Sequence, residues 1–267
     1  MIREAAVAGS FYPGTADRLR AQVESLRPAG AKRQGAFGAA VPHAGYMYSG
    51  KVAAAVYARI APPETWVIVG PNHTGRGARA SIMTTGVWRT PLGTTAIDEE
   101  LANAILANSS SLRADDIAHA REHSIEVQLP FLQCEAPASR FVPIALFAHD
   151  YEACRDVGLA VSAAIRGTGR RVVVVASTDM SHYVSRSVAS VQDQKAINAM
   201  LALDPEALHS VVRREGISMC GFHATTAVLI AAKDLGATSA ELVAYTDSGE
   251  VTGDATEVVA YAGMIIK

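Results

Sequence analysis

The chain has little of what marks the specialised protein classes. Only three cysteines, Cys134, Cys154 and Cys220, are spread over 267 residues. They are odd in number and widely spaced, which argues against a disulfide framework and fits a reducing, cytoplasmic setting. Charge of one sign is not in excess. Lys and Arg number 24 against 26 Asp and Glu, for a net charge of -2. That balance gives no general pull toward nucleic acid, and no block of like charge appears. Long apolar runs are missing as well. The run AVLIAA at 227–232 is far too short to span a membrane. The opening MIREAAVAGSFYPG carries Arg3 and Glu4 and no apolar core, so it does not read as a secretory signal. No repeat and no low-complexity linker divides the chain, which points to a single domain over 1–267.

What is present is core material in an alternating pattern. Hydrophobic residues make up 49% of the chain, ample for one large buried core. Apolar, β-branched runs at 39–41, 65–70, 141–147, 171–177, 241–245 and 258–266 read as buried strands. Helical patterns lie between them. Thr15 is placed to cap a helix through Leu26, Ser49 to cap SGKVAAAVYARI, and Asp98 to cap DEELANAILANS. Residues 150–166, 190–202, 204–214 and 221–235 also read as helices, the last stopped by Gly236. Alternating strands and helices predict an α/β fold with a central mixed sheet flanked by helices on both faces.

In such sheets, sites form beyond the carboxyl ends of strands. Three predicted strands end in a histidine: Pro42-His43-Ala44-Gly45 after 39–41, Pro71-Asn72-His73-Thr74-Gly75 after 65–70, and Thr178-Asp179-Met180-Ser181-His182-Tyr183 after 171–177. Any one of them could be an ordinary hydrogen-bonded loop histidine. Three at one rim suit metal binding or proton transfer. REHSIEVQLPFLQ at 121–133 places His123 near a helix start, with Glu122 and Glu126 as either partners or ordinary helix charges. MCGFHATTAVLIAA at 219–232 places Cys220 just before a helix. A thiolate is favoured there, although a small buried hydrophobe fits the same pattern.

VPHAGYMYSG, GPNHTG, EHSIEVQLPFLQ, STDMSHY and MCGFH, in this order, closely resemble the MEMO family, known in prokaryotes as AmmeMemoRadiSam system protein B. REAAVAGSFYPG matches it too, so the resemblance spans nearly the whole chain. The family is similar to class III extradiol ring-cleavage dioxygenases, which use non-haem iron(II). The resemblance implies a dioxygenase-like α/β domain. It implies His43, His73 and Cys220 as metal ligands, Asp179 and His182 as other residues lining the pocket, and His123 close to it. Ring-cleaving dioxygenases hold iron by two histidines and one carboxylate. Here a thiolate stands in the third position, which is softer and suits copper or zinc while accepting iron.

The expectation is therefore a metal-dependent oxidoreductase of unknown substrate, with iron or copper, or zinc, as cofactor. His182 would act as general acid or base, positioned near Asp179. Catechol ring opening is not expected, because the carboxylate ligand is replaced. The alternative is a non-catalytic protein that keeps the pocket for a metal, a peptide or a partner. A zinc hydrolase ranks behind both. The family's system name implies association with a radical-SAM protein and an AMMECR-type protein. No nucleic-acid or membrane partner is expected.

Overall fold

The computed structural model describes residues 1–147 and 150–267. The strands are β1 (Ile2–Arg3), β2 (Gly38–Val41), β3 (Thr65–Pro71), β4 (Ala80–Ile82), β5 (Val87–Thr90), β6 (Gly93–Ala96), β7 (Arg113–Ala114), β8 (Arg140–Leu146), β9 (Val172–Ser177), β10 (His182–Val184), β11 (Ala240–Asp247) and β12 (Val258–Ile266). The helices are α1 (Ala16–Leu26), α2 (Tyr46–Tyr57), α3 (Glu99–Ala107), α4 (Leu129–Glu135), α5 (Tyr151–Thr168), α6 (Arg186–Leu201), α7 (Pro205–Glu215), α8 (Phe222–Asp234) and α9 (Gly249–Thr252).

The large sheet runs in the order β10-β12-β2-β9-β3-β8-β4-β7, with β11 also paired to β12. Its centre is parallel: β2 with β9, β9 with β3, and β3 with β8. Antiparallel pairs flank that centre, β12 with β2 on one side and β4 with β8 on the other. The sheet is thus mixed, as the sequence pattern predicts. Strands β2, β3 and β9 are buried along their whole length. Continuous apolar runs are what a strand covered on both faces requires. Helices α1, α2 and α4 pack together against one face, and α5, α7 and α8 against the other.

The helix starts depart from expectation at α6, which begins at Arg186 rather than at 190, and at α2. α2 begins at Tyr46 with Gly45 as its N-cap, not at Ser49. The Ser49 hydroxyl instead donates back to the Ala44 carbonyl at 2.9 Å. Asp98 does cap α3, accepting from the Leu101 N–H at 3.2 Å. A small second sheet, β1-β5-β6, was not expected. Its strands are two to four residues long, too short for a periodic signal. It anchors the first residues of the chain, and the Arg3 guanidinium lies 4.3 Å over the Trp88 ring. Among the described residues no helix is long and apolar enough to cross a membrane.

Candidate metal centre

Neighbouring parallel strands finish together, so their loops meet. Val41 of β2 pairs with Ser177 of β9, and Val69 of β3 with Ala176 of β9. The loops that follow carry His43, His73 and the Asp179–His182 segment. Two glycines bring further loops onto this rim. At Gly70 an added Cβ would lie 2.6 Å from the Ser124 Oγ, so only glycine lets the His123 loop press against the end of β3. There the Ser124 hydroxyl donates to the Pro71 carbonyl at 2.8 Å. At Gly221 a Cβ would lie 2.4 Å from the Ser177 carbonyl oxygen. That close approach sets Cys220 over the end of β9.

One ring nitrogen from each of His43, His73 and His123 lies within 4.8 Å of the others. His73 stacks on His123 with centroids 4.6 Å apart, and both meet His43 edge-on at 5.2 and 5.6 Å. The outward nitrogens of two rings are fixed. His43 Nδ1 sits 3.0 Å from the Ser177 Oγ, leaving Nε2 for the rim. His73 Nδ1 sits 2.9 Å from Glu122 Oε1, again leaving Nε2. Burial drives the His43 pKa well below its ordinary value, and the neighbouring His73, His123 and His182 add to the shift. Burial also lowers that of His123, against the pull of Glu122. Both rings are therefore neutral and able to ligate.

Glu122 is wholly buried. It accepts the backbone N–H groups of His73 at 2.5 Å, His123 at 2.9 Å and Ser124 at 2.8 Å. Burial alone would raise its pKa. The hydrogen bonds and the charge of His73 outweigh that and hold it at about 2. A carboxylate behind an imidazole is how proteins orient a metal-binding histidine and raise its basicity. Three clustered imidazoles, one so backed, fit a transition-metal ion.

Cys220 lies beside this trio. Its Sγ is 3.2 Å from His43 Nε2 and accepts the Asp179 N–H at 3.3 Å. The surroundings of the thiol in the protein alone disfavour the expected thiolate. Burial pushes the thiol's pKa up, and the nearby Asp179 pushes it further. Asp179 itself accepts the His43 N–H at 2.7 Å, and burial raises its pKa to about 6. Asp179 and His182 are each hydrogen-bonded elsewhere. The Asp179 carboxylate is taken by the His43 amide. His182 Nδ1 sits 2.7 Å from the Met180 carbonyl and 2.9 Å from that of Ser218. An N–H at Nδ1 satisfies those two carbonyls and leaves Nε2 as an acceptor. His182 and Asp179 line the same cleft as the three histidines, a space of about 520 Å³.

The chain matches the model of the Memo-like protein family over residues 3–265. It belongs to that family. A MEMO1 family protein of Methanothermobacter thermautotrophicus is 42% identical over 98% of this chain and 99% of its own. One from Methanopyrus kandleri is 43% identical over 100% and 99%. A solved structure of an uncharacterized protein from Escherichia coli K12 shares the fold alone. It has a TM-score of 0.56 at 14% identity, covering 85% of this chain and 98% of that one.

In this Memo-like chain several supporting residues carry no signal of their own in the sequence. Glu126, which could pass for an exposed helix charge, is fully buried. It binds the Arg3 guanidinium, the Tyr12 hydroxyl at 2.6 Å, and the N–H groups of Ala6 and Val7 at 2.8 and 3.0 Å. Through these bonds it holds an N-terminal arm whose Phe11 ring packs 4.8 Å from His123. Gln128 ties the Pro42 carbonyl to the Ser177 hydroxyl at 3.0 and 2.8 Å. These contacts link segments more than a hundred residues apart, or loops whose meeting only the sheet order decides.

Proposed function

We propose that the protein binds one transition-metal ion between His43, His73 and His123 and acts as a metal-dependent oxidoreductase on a small substrate held in the cleft. The observation that carries this is the convergence of three imidazole nitrogens within 4.8 Å of one another, with a buried carboxylate behind His73. Cys220 stands 3.2 Å from His43 Nε2, near enough to join as a fourth, anionic ligand. A cation in the site would lower the cost of its thiolate. Bound iron or copper would supply Lewis acidity and electron transfer.

The chain's own residues then have separable tasks. Glu122 fixes the ring of His73, and Ser177 that of His43. His182, with Nδ1 committed to two carbonyls, offers Nε2 to take a proton from a substrate hydroxyl. Asp179, with its pKa raised to about 6, can hold or release a proton near neutrality. Phe11 screens one side of His123 from water. Anaerobically purified protein should take up one equivalent of iron(II), copper(I) or zinc, and His43→Ala, His73→Ala and His123→Ala should each lose it. Oxygen uptake with phenolic substrates should then require the redox metals and His182. Full metal retention in all three histidine variants would end this reading.

A further inference from the structure

The mouth of the cleft carries a strained aromatic residue and a distinctive charge pattern. β10 pairs with β12 through His182 with Val259 and Val184 with Val258. Two steps along β10 are matched by one along β12, so Tyr183 is the extra residue of a bulge. Its φ is 56°, a left-handed conformation that tyrosine adopts only at a cost. Despite that cost its side chain is 74% exposed, so burial does not repay the strain. The neighbouring residues hold the kink. The His182 N–H donates to the Ser218 Oγ at 2.7 Å, and the antiparallel pairing with β12 resumes at Val184. Bulges beside sites commonly re-aim one side chain. Here the re-aimed ring lies in the wall of the cleft, with Phe11, Tyr48 and Tyr261 also in that wall.

Charge in the cleft is one-sided. None of its described lining residues is a lysine or arginine. Beyond the histidines and buried Asp179, the charged lining residue is Glu257, which is exposed. A carboxylate or phosphate tail on a substrate would meet no cation at this mouth. An ammonium tail would meet Glu257 and the faces of tyrosine rings, which attract cations.

We infer that the cleft takes aromatic substrates whose outer end is an amine, with Tyr183 stacking on the substrate and Glu257 pairing with the ammonium group. This inference rests on the metal-site reading for the inner end of the substrate, but the selection at the mouth does not need the metal. Aromatic contact and an exposed ion pair each contribute modestly, so the effect is a ranking rather than an all-or-none choice.

Three phenols of similar length test it: tyramine, 4-ethylphenol and 3-(4-hydroxyphenyl)propionate. Their Kd values are measured by NMR titration against metal-free and zinc-loaded protein. Tyramine should bind about fivefold tighter than 4-ethylphenol and the propionate weakest, in both forms. Glu257→Gln should bring tyramine level with 4-ethylphenol, and Glu257→Lys should reverse the order of the two charged probes. Tyr183→Gly should weaken all three while leaving Tm unchanged or higher, since glycine relieves the backbone strain. Tightest binding of the propionate, absence of binding by all three, or a ranking untouched by Glu257→Lys would overturn the inference. Failure of zinc to bind, with the ranking intact in metal-free protein, would overturn only the metal site.

Discussion

Replacing Glu122 by glutamine changes one oxygen for an NH2 group in a fully buried position, and the structure sets the size of the effect. The carboxylate accepts three backbone N–H groups and faces the His73 Nδ1 at 2.9 Å. A glutamine can present one oxygen, and its NH2 must then face an N–H donor. The carboxyl pKa falls from 4.5 to about 2 on folding, which corresponds to about 3 kcal/mol at neutral pH. For a chain of this size that is a Tm loss on the order of 6–12 °C. The sign follows from the depressed pKa. The stabilisation is complete above the unfolded value, 4.5, and is lost as pH falls through the folded value, about 2. Thermal melts of metal-free wild type and Glu122→Gln should therefore differ fully at pH 7 and by only about 1 kcal/mol at pH 3. Zinc titration against a competing chelator at pH 7 should show a loss of roughly 10- to 100-fold in affinity, because His73 is no longer held. Equal zinc affinity, or a Tm gap that does not shrink in acid, would refute this account of Glu122.

Glu126→Gln leaves Arg3 buried without its carboxylate, and a cost of about 3–5 kcal/mol is expected, seen as a lowered urea midpoint with an unchanged m-value. Gly221→Ala forces a methyl against the Ser177 carbonyl, so stability and zinc affinity should fall together, with equal affinity counting against the close approach. Cys220→Ser should weaken copper(I) and zinc more than iron(II), since it removes the soft anionic donor; anaerobic titrations with an identical metal profile would remove Cys220 from the site. Burial raises Asp179 to about 6, so in metal-free protein its contribution is full below the unfolded pKa and is lost as pH rises through 6. Asp179→Asn should flatten that limb of the stability profile by up to ~3 kcal/mol, and calorimetry between pH 4 and 7 measures it.

The long strands and the rim were legible in the sequence because burial on both faces leaves an uninterrupted apolar run. β12 spans Val258–Ile266, the bounds its residues predict. His43 and His73 were legible because each follows such a run directly. His123 was harder. It sits before a short 3-10 turn at Glu126–Gln128, and its nearness to His73 depends on the contact of Gly70 with the distant Ser124. That His182 would lie near Asp179 was legible, but its hydrogen-bond partners were not. Asp179 lies three residues away along the chain, but the amide of His43 reaches its carboxylate first. The pairing of Arg3 with Glu126 was not legible, because an isolated charge reads as solvated until the fold shows what surrounds it.

The pairing of Arg3 with Glu126 spans 123 residues, and it has a temporal side. On a ribosome adding 5–20 residues per second, the arm emerges about 6–25 s before the carboxylate that will hold it. Over that interval Arg3, Ala6, Val7 and Tyr12 lack the carboxylate that ties them together, and Phe11 lacks the His123 ring against which it packs. Gly9, Pro13 and Gly14 suit that wait, because they discourage the arm from pairing with a growing strand edge. The arm would then be among the last parts to settle, docking onto a rim whose other loops are already in place.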